Sequence, residues 1–119
     1  MKILIVSYYG LRDALLGAAN ALRKLGHNVS DFPMFQYAYD SYDKRSDYTD
    51  MFVSHVNDTD PDVVLWWFFS IPTSDLEKIW QKTNSKIHLL FCWDDPFIWK
   101  DKSMDIKGKC KYYDIVCVT

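Results

Sequence analysis

The chain has 119 residues, enough for one domain with a sizeable core and short for two. A hydrophobic fraction of 49% and a charged fraction of 25% exclude the polarity that keeps a chain disordered. The formal net charge of −2, with Lys and Arg scattered, excludes a broad basic field for phosphate backbones, so no nucleic-acid partner is expected.

The opening run Ile3-Leu4-Ile5-Val6 is too short for a signal peptide, and no stretch approaches the length of a membrane span. Cys92, Cys110 and Cys117 form no CxxC pair and are odd in number. They read as reduced structural residues, and a cytoplasmic protein that does not span a membrane is expected.

Ile3 to Val6 is a continuous aliphatic run, the pattern of a central parallel strand buried on both faces. It ends in the loop Ser7-Tyr8-Tyr9-Gly10. Leu15, Ala18, Ala19, Leu22 and Leu25 then recur at helical spacing, with Arg12, Asp13, Asn20, Arg23 and Lys24 on the other face. Gly26 supplies a left-handed cap. His27 to Phe32 reads as a second strand stopped by Pro33, which completes a βαβ unit.

Residues 34–45 read as a loop carrying Tyr37, Tyr39, Tyr42, Asp40 and Asp43, long enough to be either functional or mobile. A helix starts near Ser46 or Asp47, with Tyr48, Met51, Phe52, His55 and Val56 predicted to share its apolar face, and Pro61 bars its continuation. Residues 63–69, VVLWWFF, form the most apolar run and predict a third, doubly covered strand.

Ser74-x-x-Glu77 has the form of a capping box and predicts a helix with Leu76, Ile79, Trp80 and Thr83 inward. Residues 86–92 predict a fourth strand that ends at Trp93-Asp94-Asp95-Pro96-Phe97. A weaker helical stretch over 105–112 leads to a fifth strand, Ile115 to Val118. The expected fold is α/β, a Rossmann-like open parallel sheet of about five strands with helices on both faces. Its stop on a core strand, with no closing helix, reads as a fragment or a divided protein.

In open α/β sheets ligands bind outside the carboxyl ends of the strands, where strand order reverses. That topology selects Ser7, Tyr8, Tyr9 and Gly10 after the first strand, Ser70, Ile71 and Pro72 after the third, and Asp94 and Asp95 after the fourth. Gly10 precedes a helix, so backbone N–H groups there are able to face an anion or a sugar hydroxyl, although such a glycine is more often purely conformational. Neither GxGxxG nor GxxxxGK[ST] occurs, which disfavours a nucleotide held by this domain alone.

Asp94-Asp95 can accept hydrogen bonds from sugar hydroxyls, and one of the pair can serve as general base; the competing reading is a pair of loop acids capping nearby N–H groups. A hard cation needs more oxygen ligands than this pair offers. His27, His55 and His88 have no ligand spacing and read as structural. Trp66, Trp67, Phe68 and Phe69 read as core, with Phe69 alone near enough to the strand end to meet a ligand. The loop tyrosines between 34 and 45 suit stacking on pyranose rings and equally suit surface decoration.

The order of parts resembles the N-terminal half of a GT-B glycosyltransferase, in particular the CgeB-like and group 1 families. The residues that carry the resemblance are Lys2-Ile3-Leu4-Ile5-Val6, Ala21-Leu22-Arg23-Lys24-Leu25-Gly26-His27-Asn28-Val29, Pro61-Asp62-Val63-Val64-Leu65, Asp94-Asp95-Pro96-Phe97 and Tyr113-Asp114-Ile115-Val116-Cys117-Val118-Thr119. The resemblance implies transfer of a sugar from a nucleotide-sugar donor, with this half binding a sugar or glycan acceptor. It further implies that Tyr8, Tyr9, Gly10 and Ser70 bind the acceptor and that Asp94 and Asp95 are the catalytic acids. No cofactor or metal is implied for this domain. The donor-binding motif of the family's second half has no counterpart here, so a missing C-terminal donor-binding domain is the implied partner and the chain alone is expected to be inactive.

A stand-alone flavodoxin-like ligand-binding module shares the same alternation and the same strand-end site. The cobalamin signature DxHxxG is absent, and Ser7-Tyr8 and Ser70 stand where a receiver domain needs acids. A protein-interaction module that docks through its last strand is the remaining alternative.

Overall fold

The computed structural model describes residues 1–34, 47–67, 71–92 and 106–118. Strands with no polar alternation lie in the middle of a sheet and amphipathic helices cover them. In chain order the elements are β1 (Lys2–Ser7), α1 (Asp13–Lys24), β2 (Asn28–Pro33), α2 (Tyr48–Thr59), β3 (Val63–Trp66), α3 (Thr73–Thr83), β4 (Ile87–Cys92), a short α4 (Ile106–Lys109) running into a 3₁₀ turn (Cys110–Tyr112), and β5 (Ile115–Val118). All neighbouring strands pair in parallel, in the order β2-β1-β3-β4-β5. The expected Rossmann-like open sheet of five strands is what the chain forms, in the flavodoxin-like strand order.

Right-handed crossovers divide the helices between the two faces. Under α1 lie Ile3, Ile5 and Val29, packed with Leu15 and Ala19. The opposite face holds the larger core, in which Leu4, Val6, Val64, Trp66 and Leu90 of the strands meet Phe52 and Val56 of α2 and Leu76 and Ile79 of α3. Aromatic packing concentrates there: Phe52 contacts Phe32 edge-on at 5.1 Å and Trp66 at 5.3 Å. Burying a side chain of this kind contributes about 1.5–3 kcal/mol.

Four details differ from the expectation. Pro33 is the last residue of β2, not its stop, and pairs with Ser7; β2 is an edge strand, where a missing N–H costs no ladder bond. In α2 the buried stripe is Thr49, Phe52, Val53 and Val56, while Met51 is exposed, so the apolar face is rotated from the one the sequence suggested. Helix α3 begins at Thr73 with Pro72 as N-cap and no side-chain cap, so Ser74 lies inside the first turn and forms no capping box. The ladder of β3 ends at Trp66, short of the expected end at 69.

Candidate functional site

The chain leaves β1 toward β2 on one side and leaves β3 toward β4 on the other, so the carboxyl ends of these adjacent strands form the sheet's topological switch point. The turn after β1 is fixed from within. Ser7 is fully buried, and its Oγ accepts a hydrogen bond from the Gly10 N–H at 2.9 Å. Gly10 has φ +98°, a conformation an L side chain rarely adopts. A Cβ there would lie 3.5 Å from Asp31 Oδ2, so conformation and not space demands glycine. Two residues into the next segment, Arg12 caps α1 with extended backbone and no side-chain cap, and Asp13 enters the helix at φ +48°. A left-handed aspartate costs roughly 1–2 kcal/mol, and such residues cluster at functional sites.

Trp67 closes the other side. Its N–H donates to Val6 O at 2.8 Å, which carries β1–β3 pairing one residue past the ladder. Its indole lies on the α1 side of the sheet, stacked on Phe91 with ring centroids 4.5 Å apart and planes 14° from parallel. Between them the two segments enclose an open hollow of about 370 Å³ that Tyr8, Tyr9, Gly10, Arg12, Asp13 and Trp67 line. Tyr9 is exposed, Tyr8 and Trp67 are half-buried, and Arg12 and Asp13 are exposed at the rim. The arrangement offers aromatic faces beside a cation, a carboxylate and the amino end of a helix.

Of the residues selected from sequence, the fold brings Tyr8, Tyr9 and Gly10 together at this hollow. Ser70, Asp94 and Asp95 lie outside the described residues, as does Phe69. Trp67, Arg12 and Asp13 were not anticipated as site residues. The signal for Trp67 was its place at the carboxyl end of the apolar run; the left-handed backbone of Asp13 has no sequence signature.

The histidines lie elsewhere. His88 is buried and bonded to Trp66 and Thr83, and the ring of His27 faces the amino terminus, with Nδ1 3.2 Å from the Met1 nitrogen. Among the described residues no group of three His, Cys, Asp or Glu side chains could hold a metal ion, and no helix is long and apolar enough to cross a membrane. The sequence matches no protein-family model and no curated protein.

Proposed function

We propose that this domain binds a sugar or glycan in the hollow at the β1/β3 switch point, as the acceptor-binding side of a GT-B-like glycosyltransferase. The observation that carries the reading is the convergence of Tyr8, Tyr9 and Trp67 with Arg12 and Asp13 around one open hollow. Aromatic faces stack on the apolar side of a pyranose, while a guanidinium and a carboxylate beside them bond its hydroxyls. The first-strand turn carries a lone glycine where a phosphate cradle uses several, which favours a neutral polyol over a phosphate. In the complete enzyme, transfer would draw on a nucleotide-sugar donor held by a separate donor-binding domain, with Asp94 or Asp95 as base.

Strand order favours a second reading. The order 2-1-3-4-5 is that of flavodoxin-like domains, which bind a flavin nucleotide at the same switch point. Calorimetric titration of the chain with simple saccharides, UDP, GDP and FMN separates the two. Saturable saccharide binding that weakens about tenfold in Tyr9→Ala and Arg12→Ala supports the acceptor reading. Tight FMN binding in the absence of saccharide binding transfers the assignment to the flavodoxin-like reading, and binding of none of the probes removes both.

A further inference from the structure

Behind the turn that rims the hollow stands a further carboxylate. Asp31 alternates along β2 with Val29, which packs under α1, so its side chain leaves the sheet on the same side as the hollow. Its Oδ2 lies 3.5 Å from the point that a Cβ of Gly10 would occupy. Asp31 is half-buried, and among the described residues its side chain has no hydrogen bond or ion pair. A carboxylate partly withdrawn from water with both oxygens unpaired is a group in need of donors.

Gly10 lines the hollow on one side and adjoins Asp31 on the other. With glycine there, residue 10 puts nothing but backbone between the carboxylate and the hollow. The Gly10 N–H is already given to Ser7 Oγ, so this part of the rim offers a ligand no donor, and polar recognition on the β2 side falls to the acceptor oxygens of Asp31. The charge is one-sided as well. The carboxylates of Asp13 and Asp31 stand against the guanidinium of Arg12, which disfavours an anionic ring and favours one that donates hydroxyls.

Strand geometry sets the length of the ligand. Trp67 continues β3 and Asp31 belongs to β2, with β1 between them, so the two stand two strand spacings, about 9.6 Å, apart across the sheet. One pyranose ring on the aromatic side stops short of that distance, and two linked rings cover it. Resting on the acceptor reading above, we propose that Asp31 is a specificity-determining residue that accepts hydrogen bonds from two adjacent hydroxyls of a second, neutral sugar ring, with the first ring in the hollow and the linkage passing over Gly10.

Calorimetric titration of the whole chain with glucose, cellobiose, maltose, the uronate forms of the two disaccharides, and uridine tests the assignment. At least one neutral disaccharide is expected to bind about tenfold or more tightly than glucose, and its uronate form about tenfold or more weakly than the disaccharide itself. In Asp31→Asn and Asp31→Ala, shown by circular dichroism to be folded, the ratio of disaccharide to glucose affinity is expected to fall to about one and the discrimination against the uronate to shrink. The comparison of neutral and uronate forms needs no substitution, so it stands even where a variant does not fold. A ratio of about one in the unsubstituted protein, or the same ratio in all three proteins, overturns this proposal alone and leaves Asp31 as a charge guarding the β2 edge. Uridine that binds as tightly as the disaccharide and loses as much in Asp31→Asn overturns it by assigning the carboxylate to a ribose diol. Binding of no saccharide overturns the acceptor reading and this inference with it.

Discussion

The indole N–H of Trp66 donates to Nδ1 of His88 at 3.0 Å in the buried core. An indole nitrogen only donates, so Nδ1 carries no proton, and the second ring nitrogen must hold the hydrogen that reaches Thr83 O at 2.9 Å. Both ring nitrogens are satisfied by the neutral Nε2–H tautomer, between the rings of Trp66 and Trp80.

Burial pushes the His88 pKa below its ordinary value, partly opposed by the Thr83 carbonyl and the Asp114 carboxylate. The unfolded chain then binds the proton more readily than the folded one, so stability is fully present above the unfolded pKa and declines as pH falls from about 6.5 through the folded value. Urea midpoints followed by Trp fluorescence are expected to be flat above pH about 7 and to fall as the pH drops below about 6.5, the ordinary histidine value. His88→Leu is expected to flatten that decline and to cost about 1–3 kcal/mol at neutral pH, because the Trp66 N–H loses its acceptor. An unchanged pH profile in His88→Leu would locate the titrating group elsewhere.

Tyr113 presents the opposite case. Its ring is in the core, 5.2 Å from Trp80 and 5.9 Å from Trp66, yet its hydroxyl has no hydrogen-bond partner among the described residues. Burial raises its pKa, so the neutral phenol persists throughout the working pH range. Tyr113→Phe keeps the ring contacts and removes an unpaired polar atom, and is expected to raise stability by up to about 1–2 kcal/mol. Thermal melts compare the two proteins directly; a lower Tm in the variant contradicts the assignment.

The turn after β1 tolerates little change. Gly10→Ala is expected to cost about 1–2 kcal/mol from the left-handed backbone alone, and Ser7→Ala about 1 kcal/mol for the lost bond to the Gly10 N–H. Both substitutions act on one turn, so the double variant should cost less than the sum. Additivity in a denaturation cycle would mean that Ser7 and Gly10 are energetically separate.

Phe52→Ala is expected to cost about 3–5 kcal/mol, a large share of the stability of a domain this size. Met51→Ala, one residue earlier on the exposed side of α2, should stay within about 0.5 kcal/mol. Similar losses at both positions would contradict the buried stripe assigned to α2.

Much of the architecture was legible because buried parallel strands and amphipathic helices leave different periods in sequence. Ile3 to Val6, the helix after Arg12 and the helix around Leu76 and Ile79 all formed within a residue or two of the expected bounds. Strand order was less accessible: periodicity says that β2 and β3 are strands, not that both flank β1. Trp67 was hidden because a continuous apolar run carries no mark where the ladder stops and the chain turns away. Hydrophobicity alone groups Met51 with Phe52 and cannot tell which of two adjacent stripes of α2 faces the sheet; the contacts of Phe52 with Phe32 and Trp66 turn the stripe toward Thr49 and Val53 and leave Met51 outside. Tyr8, Tyr9 and Gly10 were legible because topology, not residue type, puts the turn after a central strand at the switch point. Ser70, Asp94 and Asp95 rest on the same topology and lie outside the described residues.

The position of β1 has a consequence for biosynthesis. It pairs with β2 on one side and with β3, about 60 positions later in the chain, on the other. During translation the first βαβ unit can assemble as soon as Pro33 has left the ribosome, but one margin of β1 stays open until Val63 to Trp66 emerge. For that interval the nascent polypeptide carries an unpaired, aliphatic strand edge, a template for intermolecular pairing. Chaperone demand should therefore peak before β3 appears, and slow codons just upstream of Val63 would prolong the exposure.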